Sequence, residues 1–302
     1  MDEVKDVLIV GAGPAGLSAA IYLIRSGYEV TIFEKGFPGG KVNLTAEVEN
    51  YPGIEKISGP DLAFKIYEHA QNLGAKITSK EVKKIIKDKD VFKVFTENDT
   101  FMFKAVIIAT GTIENKLEVE NSMKFENHGI SYCAVCDGRF YKGKEVAVIG
   151  GGNAALEEAL YLEKICSKVH LIHRRDEFRA DQIVVDLVKK SSIDIIYDTI
   201  VTKVEGDNLV TGVDLLNVKT QSTSTLKVSG IFPYIGARPN TQFLDSHLLD
   251  EKGYLLVNER METKLIGLYG CGDVIKKDLR QVVTATSDGA IAAINVANYL
   301  KK

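Results

Sequence analysis

The chain has 302 residues, 45% of them hydrophobic and 26% charged, with a formal net charge of −3 and four cysteines. That length exceeds one ordinary core and implies two domains of about 100–200 residues each, in a chain of ordinary soluble composition. The charge pattern excludes nucleic acid as a main partner. No apolar run approaches the ~18–20 residues of a membrane span, the polar start M-D-E-V-K-D is not a secretory signal, and so few cysteines imply a reducing compartment, the cytoplasm.

Residues 7–34 carry the first pattern. An apolar run ends at Gly11, and Gly13 and Gly16 complete G-x-G-x-x-G. A small-residue stretch from Pro14 to Arg25 reads as a helix that Gly27 stops, and E-V-T-I-F reads as a second strand ending in Glu34. Gly11 permits the tight turn, Gly13 lets the backbone approach a pyrophosphate, and Gly16 lets helix pack on strand. The N-terminus of the helix that opens with Pro14 and Ala15 offers the free N–H groups of its first turn, Pro14 itself having none, to phosphate, and Glu34 accepts hydrogen bonds from an adenosine ribose. The segment E-V-K-K-I-I-K-D-K-D at 81–90 reads as a solvated strand face. A-T-G-T-I-E-N at 109–115 is a glycine-bearing turn, and G-A-R-P-N-T at 236–241 a second, so both are candidate hinges. S-Y-C-A-V-C-D-G at 131–138 puts two of the four cysteines either side of two residues. At this stage they are a redox pair, half a metal site or two core residues.

The nucleotide pattern then returns. In residues 145–175, Gly150, Gly152 and Ala155 form G-x-G-x-x-A between a strand and a helix that opens with Asn153 and Ala154. Gly11 to Glu34 is 23 positions (34 − 11), and Gly150 to His173 is also 23 (173 − 150). Histidine therefore stands where the first copy has its ribose acid, followed by Arg174 and Arg175, with Arg179 a turn later. A carboxylate there repels a ribose 2′-phosphate, whereas arginines hold one by bidentate bonds. The second site is expected to select NADPH. The fold class is α/β, two Rossmann-like three-layer dinucleotide-binding domains, and two such sites on one chain suggest an electron relay.

Six segments besides the first G-x-G-x-x-G make the chain resemble the low-molecular-weight, flavin-dependent thioredoxin reductases over essentially its whole length. The first G-x-G-x-x-G is that family's FAD turn. P-G-G-K-V-N-L-T-A-E-V-E-N-Y-P-G at 38–53, with Gly40, Lys41 and Asn50, resembles its flavin loop, and V-I-I-A-T-G at 106–111, with Gly111, its strand end. G-L-Y-G-C-G-D-V at 267–274, with Gly272 and Asp273, resembles the second FAD segment, whose aspartate meets the ribityl chain. D-L-R-Q-V-V-T-A at 278–285, with Arg280, Gln281 and Val282, resembles the run lining the flavin ring. H-R-R-D-E-F-R-A at 173–180 resembles the NADPH signature, and C-A-V-C-D-G the active disulfide. The resemblance implies an interrupted chain: residues 1–113 and 243–302 as the FAD domain, 114–242 inserted as the NADPH domain. It also implies thioredoxin as partner, a homodimer and domain rotation. Lys41 departs from the family's usual glutamine, and it either stabilises reduced, anionic flavin or points to solvent. Cys271 stands where a small apolar residue is usual and is expected to be a packed thiol.

Zinc needs four Cys or His ligands. Beyond Cys133 and Cys136 only Cys166 and Cys271 remain, no second C-x-x-C or H-x₃₋₅-H exists, and His170 and His173 face opposite sides of an apparent strand. No metal is expected. Cys166 reads as an inert buried residue near a helix end. A redox pair fits best, because C-x-x-C closes a small, reducible ring and a helix starting there favours thiolate. Asp137 either carries protons in thiol–disulfide exchange or caps a turn. By the resemblance, Cys136 faces the flavin and Cys133 attacks the protein disulfide. The rival readings are a sibling flavoenzyme fed by ferredoxin or acting on small dithiols, and a non-enzymatic redox sensor that would not need the D-L-R-Q run.

Overall fold

The first apolar run forms strand β1 (Val4–Val10), whose last four residues are buried as a central parallel strand requires. Pro14 opens helix α1 (Pro14–Arg25), its fixed φ suiting the first turn, and β2 (Val30–Glu34) returns parallel to β1, Val7 opposite Val30. Ser58 caps α2 (Gly59–Asn72) by accepting the Asp61 N–H. β3 (Lys76–Ser79) extends the parallel edge. β4 (Lys84–Asp88) and β5 (Val91–Phe95) pair antiparallel. The segment expected to be solvated is thus partly inside: Ile85 and Val82 are buried while Lys84 and Ile86 are exposed. β6 (Thr100–Ile108) pairs antiparallel with β5 through its first half and parallel with β1 along its length.

The chain then crosses through β7 (Thr112–Glu114) and reaches the short helix α3 (Ala134–Asp137), which holds the second cysteine. β8 (Glu145–Gly150), α4 (Asn153–Glu163), β9 (Lys168–Ile172), α5 (Gln182–Lys190) and β10 (Asp194–Ile196) repeat the strand–helix alternation. β11 (Thr199–Gly206), β12 (Val210–Asn217) and β13 (Thr223–Leu226) form an antiparallel three-stranded sheet. β14 (Gly230–Tyr234) joins β8, completing a parallel sheet ordered β10-β9-β8-β14. β15 (Ala237–Pro239) pairs with β7 as a two-stranded ribbon. β16 (Leu268–Gly270) then adds to β6, and α6 (Val282–Leu300) closes the chain.

The computed structural model describes residues 4–301. They divide into two compact units, the described parts of Met1–Ile113 with Arg238–Lys302, and Glu114–Ala237. The return crossing falls at 237/238, five residues before the expected 242/243 (242 − 237), because the second turn enters the ribbon with β7. Among the described residues no helix is long and apolar enough to cross a membrane.

The core of the first unit is built on close approach of α1 and α6. Many of its helical members are small, among them Ala15, Ala19, Ala20, Ala285, Ala292 and Ala293. A Cβ added at Gly289 would lie 2.1 Å from the Ala15 carbonyl oxygen, with backbone on both sides and no flexible group to yield. Gly289→Ala is therefore expected to force the helices apart and destabilise the unit by about 1–3 kcal/mol, the scale of core overpacking. An unchanged thermal or urea midpoint would count against this packing.

Candidate functional site

In the first unit a cavity of about 410 Å³ opens at the C-terminal ends of β1, β2 and β6, where open α/β sheets take their ligands. Gly11, at φ 105°, makes the turn out of β1. Nothing lies within 4 Å of a Cβ built on Gly13, so the approach to the first turn of α1 is open. Glu34 is held at the rim: one carboxylate oxygen accepts the Ala12 N–H and the other the Gly36 N–H, both at 2.8 Å. Each oxygen keeps a further lone pair for a hydroxyl donor.

The opposite wall brings together residues more than 200 positions away in sequence. Asp273, Arg280, Gln281 and Val282 line it beside Gly40, Lys41 and Gly111. Burial raises the Asp273 carboxyl above the usual range, against the pull of Lys277, Lys41 and Arg280. The Lys41 ammonium donates to Thr112 Oγ1 at 3.1 Å, and Lys41 lines the cavity. The Arg280 guanidinium lies 4.4 Å from the Tyr254 ring centroid, and its buried Nε has no hydrogen-bond partner. A buried donor without an acceptor is rare in a finished structure and marks where a polar ligand atom fits. Lys277 pairs with Asp288 at 2.5 Å, and Asp288 accepts the Gly272 N–H at 3.1 Å, pinning the turn that carries Asp273. The open turn, the paired carboxylate and the orphan arginine fit the adenosine, pyrophosphate and flavin of FAD.

Two expected residues stand back from the lining. Gly16 lies inside α1, where a Cβ would meet the Gly11 carbonyl at 2.0 Å, and Asn50 is tied through its amide to Gln281 at 3.2 Å. Lys80, Val82, Thr112, Asn240 and Phe243 line the cavity without having been singled out. Thr112 and Asn240 sat in the two quoted turns, whereas Lys80, Val82 and Phe243 carry no local signal.

In the second unit, the turn from β8 into α4 repeats this geometry. Gly152 stands at the N-cap with open space before it, and no side chain caps the helix. Ala155 is buried behind it. Asn153 does not face that space. Its amide donates to Asp181 at 2.8 Å and its carbonyl oxygen accepts the Asp181 N–H at 2.7 Å. The Arg179 N–H donates to the Gly151 carbonyl at 2.7 Å. The loop 173–181 is thus latched onto the turn, with Arg174, Arg175 and Arg179 exposed. His173 turns inward: it is 7% exposed, its Nε2 donates to the Glu177 carbonyl at 2.9 Å, and its ring stacks on Phe178. Burial lowers its pKa, and Arg175 and Arg174 push the same way. It braces the arginine loop as a neutral ring.

Cys133 and Cys136 are joined as a disulfide with Cα atoms 5.3 Å apart. Cys133 is the N-cap of α3, and its sulfur accepts the Cys136 N–H at 3.1 Å, a bond that stabilises thiolate once the pair is reduced. The Ala134 N–H donates to the Tyr234 hydroxyl at 3.2 Å, anchoring α3 to β14, and burial raises the Tyr234 phenol. Asp137 accepts a hydrogen bond from Ser131 at 2.6 Å. Among the described residues no cluster of three or more His, Cys, Asp or Glu is arranged to hold a metal.

The other two cysteines are poor nucleophiles. Cys271 is fully buried and its thiol is pushed up by that burial. Cys166 is half-buried, just past α4, and burial raises its thiol to about 11. Cys166→Ser and Cys271→Ser are expected to keep electron entry and disulfide reduction alike. Cys271→Ser alone loses stability, about 1–3 kcal/mol if the buried hydroxyl goes unpartnered. Loss of disulfide reduction in either variant, measured at a temperature where it is folded, would reopen the assignment of the redox pair.

The family model described as pyridine nucleotide-disulphide oxidoreductase matches residues 5–289. The thioredoxin reductase of Borreliella burgdorferi is 44% identical over 100% of this chain and 94% of its own length. That of Bacillus subtilis is 41% identical, covering 100% and 96%. Among solved structures, the Lactococcus lactis thioredoxin reductase superposes with a TM-score of 0.97 at 41% identity, over 98% of this chain and 99% of that one.

Proposed function

The chain belongs to the pyridine nucleotide-disulphide oxidoreductase family, and from that membership we propose how it works as a thioredoxin-disulfide reductase, passing electrons from NADPH through FAD and the Cys133–Cys136 disulfide to thioredoxin. The first unit would hold FAD. Gly13 and Ala15 would present free N–H groups at the start of α1 to its pyrophosphate, with Gly11 making the turn and Pro14, which has no N–H, opening the helix. Glu34 would meet its ribose, and Asp273, Arg280, Gln281, Val282 and Lys41 the flavin side. When bound, FAD accepts a hydride from NADPH and gives two electrons to a disulfide.

The second unit would hold NADPH, with Gly150, Gly152 and Ala154 meeting its pyrophosphate and Arg174, Arg175 and Arg179 its 2′-phosphate. The disulfide rides on this same unit, 14 residues before Gly150 (150 − 136). Both must serve one flavin site, so the second unit presents each in turn, pivoting on the segments 109–115 and 236–241. Once reduced, Cys133 attacks the thioredoxin disulfide as thiolate. Cys136 then attacks Cys133 and closes the ring, and Asp137 moves protons between the attacking thiol and the leaving thiolates. The resemblance carries with it a homodimer and a cytoplasmic setting. Light scattering on the purified protein tests the former.

The reading is carried by the redox pair at the start of α3, with a peptide N–H on the Cys133 sulfur and a carboxyl next in the chain. Its test is NADPH oxidation coupled to reduction of the thioredoxin from the same source. A yellow protein whose flavin NADPH bleaches, with thiol appearing on thioredoxin, supports it. A colourless protein that cannot be reconstituted with FAD overturns it.

A further inference from the structure

Ser131 has no assigned role in the exchange chemistry, yet its hydroxyl sits at the centre of the redox turn. The residue is 6% exposed. Its Oγ accepts the Cys133 N–H at 3.2 Å and lies 2.6 Å from Asp137 Oδ2 and 3.3 Å from the Cys133 carbonyl oxygen. Both of the latter can only accept, and one hydroxyl has one proton. The shorter distance falls in the range of an O–H bond to a charged oxygen, so the proton goes to Asp137. The backbone of the same turn is closed independently, by the Asp137 N–H on the Cys133 carbonyl at 3.1 Å. The Ser131 bond is therefore not needed to form α3. What it adds is a fixed position for one carboxylate.

We propose that Ser131 is a positioning residue for dithiol–disulfide exchange, its hydroxyl fixing the orientation of the Asp137 carboxyl group beside the Cys133–Cys136 turn. This rests on the proton-carrying role given to Asp137 above. In that exchange the Cys133 sulfur bonds to one sulfur of the substrate disulfide, whose S–S bond breaks. Cys136 then bonds to Cys133 and expels the second substrate sulfur. Two electrons pass to the substrate, and the two protons of the enzyme dithiol end on the two substrate thiols. A carboxylate that takes each proton and returns it serves both steps best when it is held in one orientation. The phenols of Tyr141, in the turn after α3, and Tyr234, on β14, both sense the Asp137 charge, and burial raises both, so they stay neutral. The hydroxyl proton of Ser131 is a direct hydrogen-bond partner of the Asp137 carboxylate.

Removing that donor frees the carboxyl group to rotate away from the redox turn. Ser131→Ala is expected to slow thioredoxin reduction about ten- to hundredfold, the effect of one hydrogen bond to a charged group. The loss falls on kcat, while KM for thioredoxin and NADPH-driven flavin bleaching stay unchanged. Ser131→Thr, which keeps the hydroxyl, restores the rate. Ser131→Gly serves as the second deletion should Ser131→Ala fail to fold. In an Asp137→Asn background, Ser131→Ala adds no further loss. An undiminished rate in Ser131→Ala, or a fall that Ser131→Thr does not restore, overturns the inference while leaving Asp137 in place. Full additivity of the two variants overturns it too, since Ser131 would then act elsewhere. An undiminished rate in Asp137→Asn alone overturns the reading of Asp137 itself.

Discussion

Replacing Cys133 or Cys136 by serine is expected to abolish thioredoxin reduction while NADPH still bleaches the flavin. The disulfide follows the flavin in the relay, so its loss blocks the exit and leaves the entry intact. A fall beyond about a thousandfold is the scale of removing a covalent nucleophile. The two variants should also differ from each other. The Cys133 sulfur receives the Cys136 N–H at 3.1 Å, and this favours Cys133 as the attacking thiolate. Cys136→Ser therefore retains the attacker and loses the resolver, and it should accumulate a mixed disulfide with thioredoxin, visible by mass spectrometry under non-reducing conditions. Cys133→Ser should accumulate none. Near-normal turnover in either variant would remove the pair from the mechanism, and trapping by Cys133→Ser would reverse the two roles.

The second large effect concerns the coenzyme. Arg174, Arg175 and Arg179 stand exposed on a loop latched to the G-x-G-x-x-A turn by the two Asn153–Asp181 hydrogen bonds and by the Arg179 N–H on Gly151. Hydrogen bonds to a charged group contribute roughly 1.5–3 kcal/mol each, and about 1.4 kcal/mol is a factor of ten. A variant carrying Arg174→Ala, Arg175→Ala and Arg179→Ala should therefore lose on the order of a hundredfold or more in kcat/KM for NADPH. NADH, which has no 2′-phosphate to lose, should be barely affected. The wild type should prefer NADPH strongly. Steady-state kinetics with both coenzymes decide the matter. An equal fall with NADH would mean that the loop has collapsed. If the wild type used NADH as well as NADPH, or if neither coenzyme reduced the flavin, the second nucleotide site would be misread and a ferredoxin-fed enzyme would take first place.

The sequence by itself determined what depends on short-range geometry. A strand, a glycine turn, a helix and a second strand lie within about 25 residues of one another, the length of one βαβ half. The equal spacing from Gly11 to Glu34 and from Gly150 to His173 could therefore be read without any fold. So could the contrast between an acid and an arginine pair at the end of the second strand, and the closeness of Cys133 to Cys136. Only the tertiary structure decided which way the side chains turn and which distant segments meet. His173 occupies the position of the ribose acid, yet its ring is buried against Phe178 and Glu177. Asn153 opens its helix, yet its amide is spent on Asp181. Lys80, Val82 and Phe243 reach the cavity wall because β3 and the returning chain end at the same sheet edge as β1. The return crossing lies at 237/238, where the turn read only as a candidate hinge pairs through Ala237–Pro239 with Thr112–Glu114. The hydrogen bond from Ser131 to Asp137 spans only six positions, but it exists because the chain folds back at Cys133 to start a helix. Periodicity and turn residues specify backbone conformation within one element. The rotamer of a polar side chain is set by whichever acceptor another element brings within about 3 Å, and that is a property of the packed chain alone.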